Sequence, residues 1–206
     1  MVPGSPLTCL DTDPDLLQQA EQYLTDKNSV QFVEGSIVDT SFKDEHFDFI
    51  YARFLFQHLA DPAKAVKEIY RVLKPGGRLV ITDIDDELFG VFEPPIPEFS
   101  PVLEAFAQSQ SQRGGNRYIG RKLSGLLKNT GFCNIDLEAI GSHSANREMD
   151  SFLQHLNPDR MQPLVDSKLL SQKDLDAFRA ALTEWASIPD AYTLWISLMI
   201  CSEKPK

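Results

Sequence analysis

Hydrophobic and polar residues follow their clearest pattern between residues 47 and 83. Two short apolar runs, residues 49–52 and 79–81, are rich in β-branched or aromatic side chains and are too short for helices. Between them, apolar residues recur every three or four positions, which predicts one buried face of a helix. The pattern therefore predicts a strand, a helix and a second strand that lies parallel to the first through a right-handed crossover.

Turn-forming residues mark both ends of this predicted helix. Asp61 is suited to cap its N-terminus, and Pro62 follows at the first helical position. Pro75, Gly76 and Gly77 are predicted to stop the helix and to turn the chain back into the next strand.

The same patterns extend over the rest of the chain. A short strand that ends at Asp11 precedes a helix with Asp13 at its N-cap and Pro14 at its first position. Gly131 is expected to end a later helix. The remaining predicted segments are strands at residues 30–33, 133–140 and 192–201, an acidic and proline-rich loop at 84–97, and helices beginning near 103, at 119–130 and within 147–187.

Length favours one domain over residues 1–206, because 206 residues suffice for one sizeable core and are few for two. Residues 1–6, MVPGSP, contain the turn formers Pro3, Gly4, Ser5 and Pro6 and are predicted to be a linker or a tag remnant. Residues 147–187 are predicted to form a helical insertion before the last strand. Their apolar stripe favours a core role, with a pocket cap or a homodimer contact as the alternatives.

Charge and hydropathy indicate which classes of partner, such as nucleic acid or a membrane, this chain is unsuited to bind. The formal net charge of -10 argues against binding to nucleic acid or to anionic lipid. The longest apolar run, residues 191–201, is about half of the roughly 20 residues that a membrane helix needs. With no signal peptide visible, we expect a cytoplasmic protein without a membrane partner. The three cysteines lack metal-ligand spacing, so no metal is expected and reduced thiols are favoured.

Residues 47–83 read FDFIYARFLFQHLADPAKAVKEIYRVLKPGGRLVITD. This stretch resembles the middle of the class I S-adenosylmethionine-dependent methyltransferases, in which a strand beginning Phe-Asp, a His-Leu-x-Asp loop and an Arg-Val-Leu-Lys-Pro-Gly-Gly turn follow one another. The resemblance implies an α/β fold with a doubly wound, mostly parallel, Rossmann-like sheet. It also implies that the last strand is antiparallel and lies at the edge.

The resemblance assigns cofactor-binding residues to the loops after the first two strands of this chain. Asp11 stands where the family holds the ribose hydroxyls of S-adenosylmethionine, although it could equally cap the following helix. Thr12 and Ile37 would flank the adenine. Ser36 replaces the family's usual acidic residue, so the contact to the adenine amine falls to Ser36 or to Asp39. An ordinary surface loop is the alternative for this segment.

The segment after the third predicted strand would line the methionine end of the cofactor. Arg53 could meet a carboxylate there, and the Phe54 ring could lie beside the cofactor or in the core. His58 is the candidate catalytic base. It could instead orient the loop, because no acidic partner for it is visible in the sequence.

The family's first strand and its glycine-rich loop have no counterpart in this sequence. In the family that strand lies at the centre of the sheet, and its loss would leave backbone groups unpaired at a cost of roughly 1 to 3 kcal/mol each. We consider three outcomes: the flanking strands pair directly, another chain supplies a strand, or the sequence is a fragment of a longer product.

The function implied by the resemblance is S-adenosylmethionine-dependent methyl transfer to a small-molecule acceptor, by an enzyme or by an N-terminally truncated copy of one. The absent glycine-rich loop makes activity uncertain and favours the alternative, a non-catalytic binding or dimerisation module that keeps the fold. A nucleotide-dependent dehydrogenase is less favoured, because its fingerprint is equally absent.

Overall fold

A computed structural model describes residues 5–24, 29–88 and 90–206. Of the predicted linker at residues 1–6, residues 1–4 lie outside the described residues. The strands are β1 Leu7–Asp11, β2 Val30–Glu34, β3 Phe47–Arg53, β4 Leu73–Asp83, β5 Val91–Glu93, β6 Cys133–His143 and β7 Tyr192–Glu203. The α-helices are α1 Pro14–Tyr23, α2 Pro62–Val72, α3 Phe99–Gln112, α4 Leu123–Thr130, α5 Met149–Leu156, α6 Gln162–Asp166 and α7 Gln172–Ala186.

The predicted helix ends are confirmed at three positions. The Asp13 side chain accepts the backbone N–H of Asp15 at 2.9 Å and caps α1, and Asp61 accepts the N–H of Lys64 at 2.9 Å and caps α2. Gly131 ends α4 with a φ of 104°, a left-handed conformation that glycine adopts without steric cost.

The strands form two separate sheets. β1 and β2 pair in parallel as one sheet, and the other contains β3, β4, β7 and β5 in that order, with β6 also paired to β7. β3 and β4 are parallel, as predicted, and β7 runs antiparallel to β4 and β6. The expectation that the last strand lies at the edge is wrong, because β7 has β4 on one side and β6 on the other.

Of the three outcomes considered for the missing strand, direct pairing of the flanking strands does not occur among the described residues. Within the described part of the chain, β1 is hydrogen bonded to β2 and β3 to β4, and no ladder joins β1 to β3. The two sheets are instead connected by side-chain packing, since Ile37 and Val38 from the loop after β2 contact the core of the larger sheet.

Two local predictions need correction. The segment 84–97, expected to be a loop throughout, contains β5, which pairs with residues Tyr192, Thr193 and Leu194 of β7. The helix α2 ends at Val72, ahead of the predicted stop, and the residues from 74 to 77 form a bulge in β4 opposite β3.

Buried side chains form two clusters. The first lies between the larger sheet and helices α2 and α4, and the second joins α3, α5, α6 and α7 to the segment around β5. The first cluster includes Phe56, Ile69, Leu79, Ile81, Leu123, Leu127 and Ile200, and the second includes Phe99, Val102, Leu156, Met161, Leu175, Phe178 and Trp185. That residues 1–206 form a single domain stays a prediction.

One face of β3 is open to solvent. Ala52 is buried against the first cluster, whereas the alternate side chains Phe49 and Tyr51 are 49% and 54% exposed. None of the helices in the described ranges is long and apolar enough to cross a bilayer. Cys9, Cys133 and Cys201 are free thiols that are partly buried.

Candidate functional site

The loops after β1 and β2 lie side by side at the carboxyl edge of the smaller sheet. Asp11 and Glu34 are register partners at the ends of the two strands, and the Gly35 N–H donates to the Asp11 carbonyl at 2.9 Å. Parallel pairing brings both C-terminal ends to the same edge, which is where ligands bind in open α/β sheets.

The Asp11 carboxylate is partly committed to its own loop. Its Oδ1 atom accepts the backbone N–H of Asp13 at 3.0 Å, and the side chain of Asp13, not that of Asp11, caps helix α1. Asp11 is half-buried and Thr12 beside it is exposed. One oxygen thus holds the carboxylate in place, while Oδ2 accepts no hydrogen bond from the part of the chain that the structure describes and can accept from a ligand.

The loop after β2 forms a tight turn between Ser36 and Asp39. The Asp39 N–H donates to the Ser36 carbonyl at 3.2 Å, and the Val38 N–H lies 3.4 Å from Ser36 Oγ. The Ile37 side chain packs against the core of the larger sheet, and its backbone N–H has no acceptor among the residues the structure describes. This turn therefore presents one backbone donor next to the exposed Asp39.

A polar network anchors this loop to helix α2. Glu68 accepts hydrogen bonds from the N–H and the hydroxyl of Thr40, at 2.8 and 2.5 Å, and from Arg71. Arg71 also pairs with Asp44 at 2.6 Å. The hydrogen bonds from Arg71 lower the pKa of Glu68 to about 2, although burial opposes this shift.

β3 ends at Arg53, and the next residue, Phe54, has an unusual backbone conformation. Phe54 has a φ of 51°, which is a left-handed conformation that costs a residue with a Cβ roughly 1 to 2 kcal/mol. Its N–H donates to the Thr82 carbonyl at 2.8 Å, and the Arg53 guanidinium lies 4.8 Å from the centre of its ring. Strain of this kind clusters at ligand sites, and both side chains are exposed.

A buried carboxylate, Asp83, joins the loop after β3 to the end of β4. It accepts the backbone N–H groups of Phe56 at 2.8 Å, Gln57 at 3.3 Å and Ile84 at 2.9 Å. Burial raises the pKa of Asp83 to about 6, although these three donors oppose the rise. The role of Asp83 could not be predicted from the sequence, because the strand pattern does not distinguish it from other acidic residues at strand ends.

His58 has a partner that the sequence did not reveal. Its Nδ1 atom lies 2.7 Å from the side-chain nitrogen of Gln110, which comes from helix α3. The ring is in part exposed, and burial of the remainder lowers its pKa, as do the charges of Arg113 and Arg117. The partner is an amide and not the carboxylate that a catalytic base commonly requires.

Two ion pairs hold the segment after β4 against residues 116–121. Asp86 pairs with Arg117, and Asp85 with Arg121, each through two guanidinium nitrogens. Burial raises the pKa of Asp86, and Arg117 opposes that rise. These pairs fix the loops beside His58, and they join residues too far apart in the chain for a local sequence pattern to predict them.

The structure brings the predicted cofactor residues together in two groups. Asp11, Thr12, Ser36, Ile37 and Asp39 lie on the two adjoining loops of the smaller sheet, and Arg53, Phe54 and His58 lie on the loop after β3. Packing of Ile37 against the core that contains Phe56 connects the groups. That all of them contact one ligand stays a prediction.

Two surface grooves lie outside both groups. One of about 260 Å³ is lined by Gly90, Phe92, Pro95, Ile96, Pro97, Phe99, Ser100 and Leu103. Another, of about 530 Å³, lies between α5 and α7 and includes Leu153, Arg179 and Leu182. No predicted cofactor residue lines either of these two grooves.

Sequence comparison relates the chain to methyltransferases. Residues 2–81 match the family model described as "Methyltransferase domain". A demethylmenaquinone methyltransferase of Staphylococcus carnosus is 26% identical over 149 residues, which are 67% of this chain and 62% of that protein. The chain spans between 34% and 62% of the length of the curated relatives that it matches.

Structural comparison confirms the predicted fold class. The phosphoethanolamine N-methyltransferase 2 of Haemonchus contortus, solved with phosphomonomethylethanolamine and S-adenosylhomocysteine, has a TM-score of 0.57 and 22% identity. That match covers 98% of this chain and 44% of the other. A structure of the same enzyme with S-adenosylmethionine has a TM-score of 0.54 and 20% identity. This second match covers 97% of this chain and 43% of the other. The described chain thus has the Rossmann-like fold of these proteins.

Proposed function

We propose that this chain, a relative by sequence and by fold of the class I S-adenosylmethionine-dependent methyltransferases, binds S-adenosylmethionine and transfers its methyl group to a small-molecule acceptor. One observation carries the proposal: the Asp11 carboxylate and the Ile37 N–H, which has no acceptor within the described ranges, lie on adjoining loops at the carboxyl edge of parallel strands. A carboxylate for two ribose hydroxyls and an amide for a ring nitrogen are the groups that recognise an adenosine.

The residues present fit the nucleoside half of the cofactor. Asp11 keeps one oxygen outside its turn and would hold the ribose, while Thr12 and Ile37 would flank the adenine. Ser36 uses its hydroxyl within its own turn, so the exposed Asp39 is the better candidate for the adenine amine. Arg53 and Phe54 would lie toward the methionine half, where this sequence has no glycine-rich loop.

Bound S-adenosylmethionine supplies an activated methyl group on a sulfonium, so the protein has little chemistry to perform. The task of the chain is to align the acceptor and to exclude water. We further propose that the protein is cytoplasmic and that it can form a homodimer.

Calorimetry with S-adenosylhomocysteine tests the proposal. The wild-type chain should bind this product, and Asp11→Asn should weaken binding about tenfold or more, because an amide cannot accept from both ribose hydroxyls. Asn can still accept the Asp13 N–H, so the loop is preserved. Asp15→Asn, which removes an exposed charge four residues away, is the matched control and should bind normally.

The outcomes separate the alternatives. Absence of binding at millimolar ligand, in a folded protein, would defeat the proposal for these 206 residues and would leave the non-catalytic module as the better description. Equal affinity in wild-type and Asp11→Asn protein would place the ligand elsewhere.

A further inference from the structure

The Gln110 side chain makes two contacts that together define its orientation. Its Nε2 atom lies 3.0 Å from the backbone carbonyl of Gln57 and 2.7 Å from Nδ1 of His58. A carbonyl oxygen can only accept, so the Gln110 atom facing it must be the NH₂ group. The amide orientation, which is often ambiguous between oxygen and nitrogen, is here fixed by the chemistry of its partner.

The Gln110 orientation determines where His58 carries its proton. An NH₂ group has two hydrogens, and the two contacts use both of them. The His58 Nδ1 atom must therefore accept, and in a neutral imidazole the proton then resides on Nε2. The backbone carbonyl of Gln57 thus fixes the orientation of the Gln110 amide, and that orientation fixes the tautomer of the His58 ring.

The surroundings hold this arrangement rigidly. Gln57 and Gln110 are each 6% exposed, so neither side chain has freedom to reorient. The Gly115 N–H donates to the Gln110 carbonyl at 2.9 Å, and the Asn116 N–H donates to the Gln57 carbonyl at 2.8 Å. Backbone hydrogen bonds therefore hold both Gln110 and the Gln57 carbonyl that its side chain contacts.

Charges around the ring also favour its neutral form. Burial lowers the pKa of His58, and the charges of Arg113 from the end of α3 and Arg117 from the following loop lower it further. Arg117 is paired with Asp86, whereas Arg113 bonds to Ser109 of its own helix. Asp83 lies behind the same loop and accepts the Gln57 N–H at 3.3 Å.

We infer that Gln110 is a positioning residue that holds His58 as its Nε2–H tautomer, so that His58 offers a hydrogen-bond donor to an oxygen of a bound small molecule. A general base at Nε2 would require the other tautomer. The tautomer depends only on the chain itself, whereas the role of the donor in methyl transfer rests on the proposed function.

Nitrogen-15 NMR of the imidazole rings tests the tautomer directly. In wild-type protein at neutral pH, His58 should show a pyrrole-like Nε2 and a pyridine-like Nδ1, with its signals assigned by their loss in His58→Gln. Gln110→Leu should turn this single tautomer into a mixture, and Gln110→Glu should favour Nδ1–H, because a carboxylate accepts. Gln108→Leu, on the exposed side of α3, should change nothing.

The same spectra can also contradict the inference. An Nδ1–H tautomer in the wild type, or an unchanged tautomer in Gln110→Leu, would overturn the inference. Unchanged signals from His46, His143 and His155 in the variants show that the fold is retained.

A second readout separates a donor from a base. Once a methyl acceptor is available, His58→Gln should keep the rate within about tenfold, because its amide can still donate, whereas loss of a general base costs about 100-fold or more. A larger loss in His58→Gln would refute the donor role. A normal tautomer without S-adenosylhomocysteine binding would refute the proposed function and leave the positioning role of Gln110 intact.

Discussion

The Asp83 carboxylate accepts the backbone N–H of Phe56 at 2.8 Å and so fastens the loop after β3 to the end of β4. This carboxylate is fully buried, and its pKa is raised from 3.8 to about 6. A charged Asp83 is therefore tolerated in the fold because three backbone donors face it, and the charge still opposes folding relative to an exposed carboxylate.

Replacement of Asp83 by Asn should remove the cost of burying this charge, so the difference in unfolding free energy between wild type and variant should depend on pH. Because the folded pKa lies above the unfolded one, the penalty is complete above pH 6 and disappears below pH 3.8. Relative to Asp83→Asn, wild-type protein should gain about 1 to 3 kcal/mol of unfolding free energy as pH falls through this window. Urea unfolding of both proteins at several pH values measures the difference, and a constant difference would contradict the assignment.

Glu68 should show the opposite dependence. Its folded pKa of about 2 lies below the model-peptide value of 4.5, so its stabilising effect is complete above pH 4.5 and is lost as pH falls toward 2. Glu68→Gln should therefore be destabilised at neutral pH by roughly 1.5 to 3 kcal/mol, the usual range for hydrogen bonds to a charged group. The gap between variant and wild type should narrow in acid.

Asp48→Asn is the matched control for Glu68→Gln. Asp48 also pairs with a cation, Lys74 at 2.9 Å, but its side chain is 83% exposed. Exposed pairs contribute about 0 to 1 kcal/mol, so this variant should unfold almost as the wild type does. An equal loss in both variants would show that burial does not distinguish the two carboxylates.

The backbone of Phe54 offers a test of stored strain. Glycine adopts a φ of 51° without steric cost, whereas alanine does not, and both substitutions remove the ring next to Arg53. Phe54→Gly should therefore be more stable than Phe54→Ala by about 1 kcal/mol. Thermal unfolding measures this difference, and greater stability of the alanine variant would argue for an ordinary conformation at this position.

Gly115 lies where no side chain fits. A Cβ at this position would overlap the Gln57 carbonyl and lie 2.7 Å from Nε2 of Gln110. Gly115→Ala should destabilise the protein by about 1 to 3 kcal/mol and should disturb the His58 tautomer. Gly125→Ala is the control, because its Cβ would meet open space on α4 and should stabilise the helix by up to about 1 kcal/mol. Similar effects of the two substitutions would contradict the packing described here.

Sequence patterns were sufficient where local chemistry determines structure. Asp13 and Asp61 cap helices as predicted, because an N-cap depends on the residues within one turn of it. Periodicity likewise identified the unit from β3 to β4. The interior position of β7 was missed, although its nearly continuous apolar residues are typical of a strand that is buried on both faces.

Contacts between distant residues could not be predicted in the same way. Gln110 is an ordinary polar residue in its helix, and only the folded chain brings it to His58, 52 positions earlier. The short strand β5 lies between a glycine and two prolines, and three residues are too few for a periodic signal. The cofactor residues were proposed from family resemblance, and their assignment awaits the binding experiment.

The position of β7 between β4 and β6 has a consequence for how this protein is made. Ile81 pairs with Ile200, so the main sheet cannot close until more than a hundred further residues have left the ribosome. During that interval β4 exposes one unpaired edge, which is a template for wrong association with other nascent chains. Synthesis of this chain should therefore depend on chaperones that shield an incomplete sheet, and slow translation after β4 should prolong the exposure.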